Sequence, residues 1–350
     1  MSGGLMQYSG LVTKTRAMHG KLLSGQDVLR LTEFETVGDL IAFLRENGSY
    51  APTYQSHEEI HHRAQVEAVI DDSLYSDYGK LYRFAGGGQR QGLAILFLRY
   101  EVNVLKNCLE HAYRGESGQD SGYRNLFFGR HAGFDTEAVM RAGNMQELAV
   151  ALTGTRYEEI IRRFAQETEL FYGDFAAQLD TFYYRTAWKL KDGLKDASMR
   201  KIMRQILGTE TDWQNIMWIY RFRQFYRTGA EEIRARLIPI RYRLKEAEFE
   251  RLLASERPED FVETLGKTAY FSGKDAVIAL GDEVTYRLVM DRTYRQMCRK
   301  YPMSIAPVLS YLYDKENEID DLTTILEGIR YRIPAREIQE LVLHTAADRV

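Results

Sequence analysis

Residues 101–109 read EVNVLKNCL, an acid followed by apolar side chains on one face of a helix. The same pattern recurs as DWQNIMWIY at residues 212–220 and as EIDDLTTIL at residues 318–326. In each stretch apolar residues fall three and four positions apart, which is the spacing of a helix rather than a strand. No proline lies between Pro52 and Pro239 to interrupt long helices. The sequence therefore predicts an all-α protein.

Two further patterns recur in the same order as this helix. The first is an acid, an apolar residue, a leucine and then a tyrosine, found as Asp39, Leu40, Leu44, Tyr50; Glu147, Leu148, Leu152, Tyr157; and Asp260, Phe261, Leu265, Tyr270. The second is an aspartate with a tyrosine three positions later, found as Asp72 and Tyr75, Asp180 and Tyr183, and Asp291 and Tyr294. Because the three patterns recur together at about 110 residues, the sequence predicts three similar units, residues 1–120, 121–235 and 236–350. Each unit is expected to be a small helical bundle.

The composition is that of an ordinary globular protein. Of its 350 residues 45% are hydrophobic and 28% charged, and the formal net charge of −3 implies no bulk attraction to nucleic acid. The longest apolar run, Leu93 to Leu98, is too short to span a membrane. The N-terminal residues lack the features of a signal peptide, and two cysteines fit a reducing compartment. We expect a cytoplasmic protein without transmembrane segments.

One motif matches a zinc-binding pattern. His57, Glu58 and His61 spell His-Glu-x-x-His, which on a helix places two imidazoles on one face. No further ligand follows at an obvious spacing, so we interpret the match as a charged helix start rather than a metal site.

A second motif gives the alternative function that the sequence leaves open. Asp71, Asp72 and Asp77 form Asp-Asp-x-x-x-x-Asp, which resembles the magnesium-diphosphate motif of all-α isoprenoid synthases. Such an enzyme needs a second metal motif, and the one that begins at Asp320 lacks its closing acid because position 328 is Gly328. The repeat already explains an acid at Asp72, so a magnesium-dependent enzyme stays the second hypothesis.

One segment departs from charge balance. Between Ile216 and Arg243, seven arginines stand among aromatic residues, namely Arg221, Arg223, Arg227, Arg234, Arg236, Arg241 and Arg243. Arginine beside aromatic side chains suits a protein interface, a single-stranded nucleic acid or an anionic surface. It also suits a helix whose arginines lie over their own bundle. We take these seven residues as the candidate partner-binding surface.

Four stretches carry a more specific signal than the helical pattern. They are Arg16-Ala17 with Leu22-Leu23, Asp27 and Asp39-Leu40; residues 97–106, FLRYEVNVLK; residues 207–212, LGTETD; and residues 301–312, YPMSIAPVLSYL, followed by KENEI at residues 315–319. Together they resemble the C subunit of the V/A-type rotary ATPases, which is the d subunit of the eukaryotic vacuolar enzyme. The last of these is the most specific, because it is not a general helix pattern. The resemblance covers essentially the whole chain.

The resemblance implies three helical bundles around a pseudo-threefold axis, in a funnel that sits on the cytoplasmic face of a membrane proteolipid ring. The implied partners are the rotor shaft subunits D and F and the c/K ring, without nucleic acid. Such a protein has no catalytic residue, metal or cofactor. It transmits torque between ATP chemistry in the soluble head and the movement of protons or sodium ions.

Overall fold

The computed structural model describes residues 2–55, 63–115, 126–166, 172–226, 228–271 and 283–342. Within these ranges every regular element is a helix, which confirms the predicted all-α class. The helices are α1 (Ser2–His19), α2 (Gly25–Thr32), α3 (Val37–Glu46), α4 (Ala51–Gln55), α5 (Arg63–Phe84), α6 (Gly87–Arg114), α7 (Leu126–His131), α8 (Thr136–Arg141), α9 (Met145–Ala151), α10 (Glu158–Gln166), α11 (Tyr172–Asp192), α12 (Ala197–Gln224), α13 (Ala230–Arg236), α14 (Glu246–Ala254), α15 (Pro258–Gly266), α16 (Glu283–Lys300), α17 (Ala306–Tyr331) and α18 (Ala335–Leu341).

Short polar side chains and left-handed residues set the helix boundaries. Ser24 and Asp27 form a capping box at the start of α2, each side chain accepting a hydrogen bond from the backbone N–H of the other. Asp196 caps α12 by accepting hydrogen bonds from the backbone N–H groups of Ser198 and Met199. Gly115 ends α6 with φ of 74°, a conformation that glycine adopts without steric cost.

The three acid-led stretches lie in the three longest of the helices that the structure describes. Helices α6, α12 and α17 have 28, 28 and 26 residues. Their leading acids, Glu101, Asp212 and Glu318, are at most 3% exposed. A buried carboxylate is costly unless it is paired or hydrogen-bonded, so each of these acids requires partners inside the protein.

The described residues divide into two compact units. The first combines residues 1–90, 100–175 and 303–350. In it α17 packs against α1, α2, α3, α5 and α18. The fully buried Leu40, Leu44 and Tyr50 belong to its core. This division does not test the unit boundaries predicted from the repeat, which stay predictions.

The second unit combines residues 91–99 and 176–302. Its core surrounds the C-terminal half of α12, which packs against α13, α14, α15 and α16. Trp213 is fully buried there and meets the rings of Tyr270 and Phe271 edge-on, with ring centroids 5.8 Å apart in each pair. The stripe that predicted a helix in this stretch is thus the stripe that faces the core.

Candidate functional site

The three tyrosines of the first sequence pattern donate hydrogen bonds to the three acids that lead the long helices. The pairs are Tyr50 with Glu318 (2.6 Å), Tyr157 with Glu101 (2.6 Å) and Tyr270 with Asp212 (2.5 Å). Burial is the main reason why the pKa of each tyrosine is raised, and the neighbouring carboxylate raises it further. Each hydroxyl therefore keeps its proton and acts as a hydrogen-bond donor. We call these contacts the tyrosine–carboxylate joints.

The acid of each joint also accepts hydrogen bonds from backbone N–H groups that lie shortly before a pair of short helices. Glu318 accepts the N–H of Leu23 at 2.5 Å and Glu101 accepts that of Gly133 at 2.6 Å. Asp212 accepts three backbone N–H groups, from residues 242, 243 and 244, at 2.9, 2.7 and 3.1 Å. These segments lie shortly before α2, α8 and α14 respectively. The leading acids of the three long helices, which resemble one another in sequence, thus make equivalent contacts.

The pairing runs between patterns of different copies. The tyrosine of the second copy meets the acid of the first, that of the third copy meets the acid of the second, and that of the first copy meets the acid of the third. Each contact lies inside one of the two compact units. The joints consist of protonated tyrosines and satisfied carboxylates, which can fix helices against one another.

Sequence reasoning missed one member of a joint, Lys315. Its side chain is fully buried, donates to Glu318 at 2.8 Å and lies 3.6 Å from the centre of the Tyr50 ring. Burial lowers the pKa of Lys315, and the Glu318 carboxylate opposes that shift. A lysine three positions before an acid in an apolar helix is the signal that could have revealed it.

Five arginines of the candidate partner surface have intramolecular carbonyl or carboxylate partners. Arg243 donates to the carbonyl of Ala269 at 3.3 Å. Arg223 donates to the carbonyl of Leu253 at 2.7 Å. Arg234 forms a two-pronged pair with Glu250 at 2.6 and 2.7 Å. The other two pairs are Arg236 with Glu232 (3.1 Å) and Arg241 with Glu246 (2.5 Å). These five side chains lie over their own bundle, within the second compact unit, as one of the sequence interpretations had it.

Arg243 is exposed, and besides its hydrogen bond its guanidinium lies 5.4 Å from the centre of the Tyr270 ring. The remaining two arginines differ from these five. Arg221 is exposed near the C-terminal end of α12, where Phe225 and Tyr226 are each 72% exposed. Arg227 lies outside the described residues. The structure therefore leaves Arg221 and the two aromatic rings turned toward solvent, and the binding of a partner there stays a prediction.

The acids of the alternative magnesium motif have other surroundings. Asp77 is buried, accepts a hydrogen bond from Tyr311 at 2.5 Å and pairs with Lys80 at 2.8 Å. Burial, followed by the nearby charges of Glu67, Asp320 and Asp72, raises the pKa of Asp71 to about 7. In the part of the chain that the structure describes, no three His, Cys, Asp or Glu side chains are grouped so that they could hold a metal ion.

Two further findings concern motifs and membranes. The motif of His57, Glu58 and His61 lies outside the described residues. Among the helices that the structure describes, none combines the length and apolar character that crossing a membrane requires.

Comparisons with known proteins give the chain its family. The model of the ATP synthase (C/AC39) subunit family matches residues 11–341. A protein from Pyrococcus horikoshii, named as the C subunit of an A-type ATP synthase, is 27% identical over 354 residues, which cover 96% of this chain and 90% of the relative. Proteins of the same name from Methanosphaera stadtmanae and Pyrococcus furiosus are 24% and 25% identical, covering 94% and 96% of this chain and 86% and 90% of theirs.

The chain belongs to the ATP synthase (C/AC39) subunit family, because the family model spans nearly its whole length. This confirms the resemblance found in the sequence. It also confirms that the protein is a structural subunit of an ATP-driven complex rather than an enzyme.

Proposed function

We propose that this protein is the central-stalk adapter of a V/A-type rotary ATPase or ATP synthase. It joins the shaft subunits D and F to the membrane proteolipid c/K ring and transmits torque that drives, or is driven by, proton or sodium transport. Family membership across residues 11–341 carries this proposal. The protein is peripheral, lies at the cytoplasmic face of the membrane and needs neither nucleic acid nor cofactor.

The proposed architecture is the three-unit one, with residues 1–120, 121–235 and 236–350 as helical bundles around a pseudo-threefold axis that together form a funnel. The tyrosine–carboxylate joints support it, since the same contact recurs three times between copies. A torque-transmitting part must resist shear between its helices. Buried, charge-assisted hydrogen bonds at equivalent places provide that resistance.

The proposal is tested by purification of the assembled complex through a tag on this chain. We expect the shaft subunits and the ring to be retained at a fixed ratio to the tagged chain, as measured by native mass spectrometry. Recovery of the tagged chain with the shaft alone, or with the ring alone, would contradict a joining role.

The arginine segment is proposed as part of the partner surface, centred on Arg221 with Phe225 and Tyr226. The Arg221→Glu variant should retain less of one partner, because a reversed charge beside exposed aromatic rings opposes docking. Arg204→Glu is the matched control, because Arg204 is also exposed and lies on the same helix, α12. Equal retention by both variants would remove Arg221 from the interface.

A further inference from the structure

The short helices α2 and α3 and the turn between them line an open groove of about 500 Å³. Two aromatic rings, Phe34 and Phe43, stand in it together with four carboxylates, those of Glu33, Glu35, Asp39 and Glu46. We call this feature the acidic groove. It lies wholly within the first compact unit.

The aromatic pair gives the groove an apolar surface. The Phe34 and Phe43 rings meet edge-on with centroids 6.1 Å apart, and both side chains are only partly buried. The guanidinium of Arg30 lies 5.8 Å from the centre of the Phe43 ring. Part of each ring therefore remains open to an apolar side chain from outside.

The charge of the groove is one-sided. Four carboxylates stand against the single cation Arg30, a net of minus three from four acids and one base. Glu33, Glu35 and Glu46 are exposed and form no ion pair with any other described residue. Asp39 is hydrogen-bonded to Thr36 at the start of α3, which leaves its negative charge uncompensated. Such a surface attracts a cationic segment and repels nucleic acid and anionic lipid headgroups.

The repeat shows that the fold does not require this groove. Counting from the leading acids 39, 147 and 260, the position of Phe34 holds Ala142 in the second copy and Ser255 in the third. The position of Phe43 likewise holds Ala151 and Thr264. The two apolar core positions of the first pattern, by contrast, stay large and apolar in all three copies, as Leu40, Leu148 and Phe261 and as Leu44, Leu152 and Leu265. A partly exposed aromatic pair present in only one of three equivalent places points to a role outside the core.

We propose that the acidic groove docks a basic amphipathic segment of another subunit of the complex, which places an apolar side chain against Phe34 and Phe43 and lysine or arginine side chains against Glu33, Glu35 and Glu46. The proposal rests on the proposed function only in that the partner belongs to the same assembly. A groove present in one copy of three also suits a partner that lacks threefold symmetry.

The test uses the full-length chain in the assembled complex, with the photo-reactive residue p-benzoylphenylalanine in place of Phe34. After irradiation, mass spectrometry identifies the residue that has been captured. The control carries the same photo-reactive residue in place of Val150, which is 74% exposed on α9 in the second copy. We expect capture from position 34 at an apolar residue flanked by lysine or arginine, and no such capture from position 150.

A charge reversal separates docking from mere proximity. The double variant Glu35→Lys and Glu46→Lys should lower capture from position 34 about tenfold, because two favourable rim contacts become repulsive. Both residues are exposed, so the melting temperature should stay that of the parent chain. Capture of lipid, capture of a segment without net positive charge, or capture unchanged by the reversal would overturn the proposal. Retention of shaft and ring by the tagged parent chain is read separately, so failure of the groove leaves the adapter function standing.

Discussion

Replacing Tyr157 by phenylalanine removes one hydroxyl from the joint at Glu101 and leaves the buried ring in place. Glu101 is 3% exposed and accepts hydrogen bonds from the Tyr157 hydroxyl and the Gly133 N–H, each at 2.6 Å. The substitution removes the hydroxyl donor, and of these two donors the Gly133 N–H remains. Hydrogen bonds to charged groups contribute about 1.5–3 kcal/mol, and a buried carboxylate that loses a donor stands at the upper end. We expect Tyr157→Phe to lower the free energy of unfolding by about 2–3 kcal/mol.

The other two joints should be less sensitive because their carboxylates have more donors. Without the Tyr50 hydroxyl, Glu318 keeps the ammonium of Lys315 and the N–H of Leu23. Without the hydroxyl of Tyr270, the acid of the third joint keeps three backbone N–H groups. We expect Tyr50→Phe and Tyr270→Phe each to cost about 1–1.5 kcal/mol.

Urea unfolding followed by circular dichroism measures these differences at one pH and salt concentration. Tyr113→Phe is the matched control, because Tyr113 is 50% exposed at the end of α6 and should change stability by less than about 0.5 kcal/mol. A double-mutant cycle of Tyr157→Phe with Glu101→Gln isolates the pair. The reasoning is refuted if Tyr157→Phe matches the control, or if Tyr270→Phe costs more than Tyr157→Phe.

Three further substitutions test the packing and the electrostatics. Burial raises the pKa of Asp71 in the folded protein to about 7 from the ordinary 3.8, so the free energy of unfolding should fall as the pH rises between those values. The Asp71→Asn variant should therefore be more stable than the parent chain by about 1–2 kcal/mol at pH 8 and equally stable at pH 4. Thermal melts at both pH values measure this difference. Gly208→Ala would force its Cβ into the side chain of Tyr242 and should cost about 3 kcal/mol in urea unfolding, whereas Gly88→Ala meets no atom within 4 Å and should be neutral or stabilising. Lys315→Met leaves a buried carboxylate without its cation and should cost about 3 kcal/mol; a loss below about 1 kcal/mol would contradict the contribution assigned to that pair.

Much of the fold could be predicted from sequence because helical periodicity is a local property. The stretches that begin at Glu101, Asp212 and Glu318 are helical, and their apolar stripes are buried as expected. Sequence could not tell which tyrosine meets which acid. Tyr50 and Glu318 are 268 positions apart, and such a pairing depends on how the helices pack.

The candidate surface was only partly predictable. The arginine-rich composition was visible in the sequence. The ion pair of Arg234 with Glu250 was not, because Glu250 lies on another helix. The acidic groove was missed because Phe34 and Phe43 are ordinary residues when read singly. Comparison of the three copies with one another was the signal that could have revealed them, since only the first copy carries aromatic residues there.

The most direct test of the adapter role is assembly of the rotary complex with and without this chain, followed by native mass spectrometry of the detergent-solubilised particles. With the chain present, shaft subunits and proteolipid ring should appear in one particle that contains a single copy of it. Without the chain they should appear as separate species. A shaft that stays attached to the ring in its absence would contradict the account.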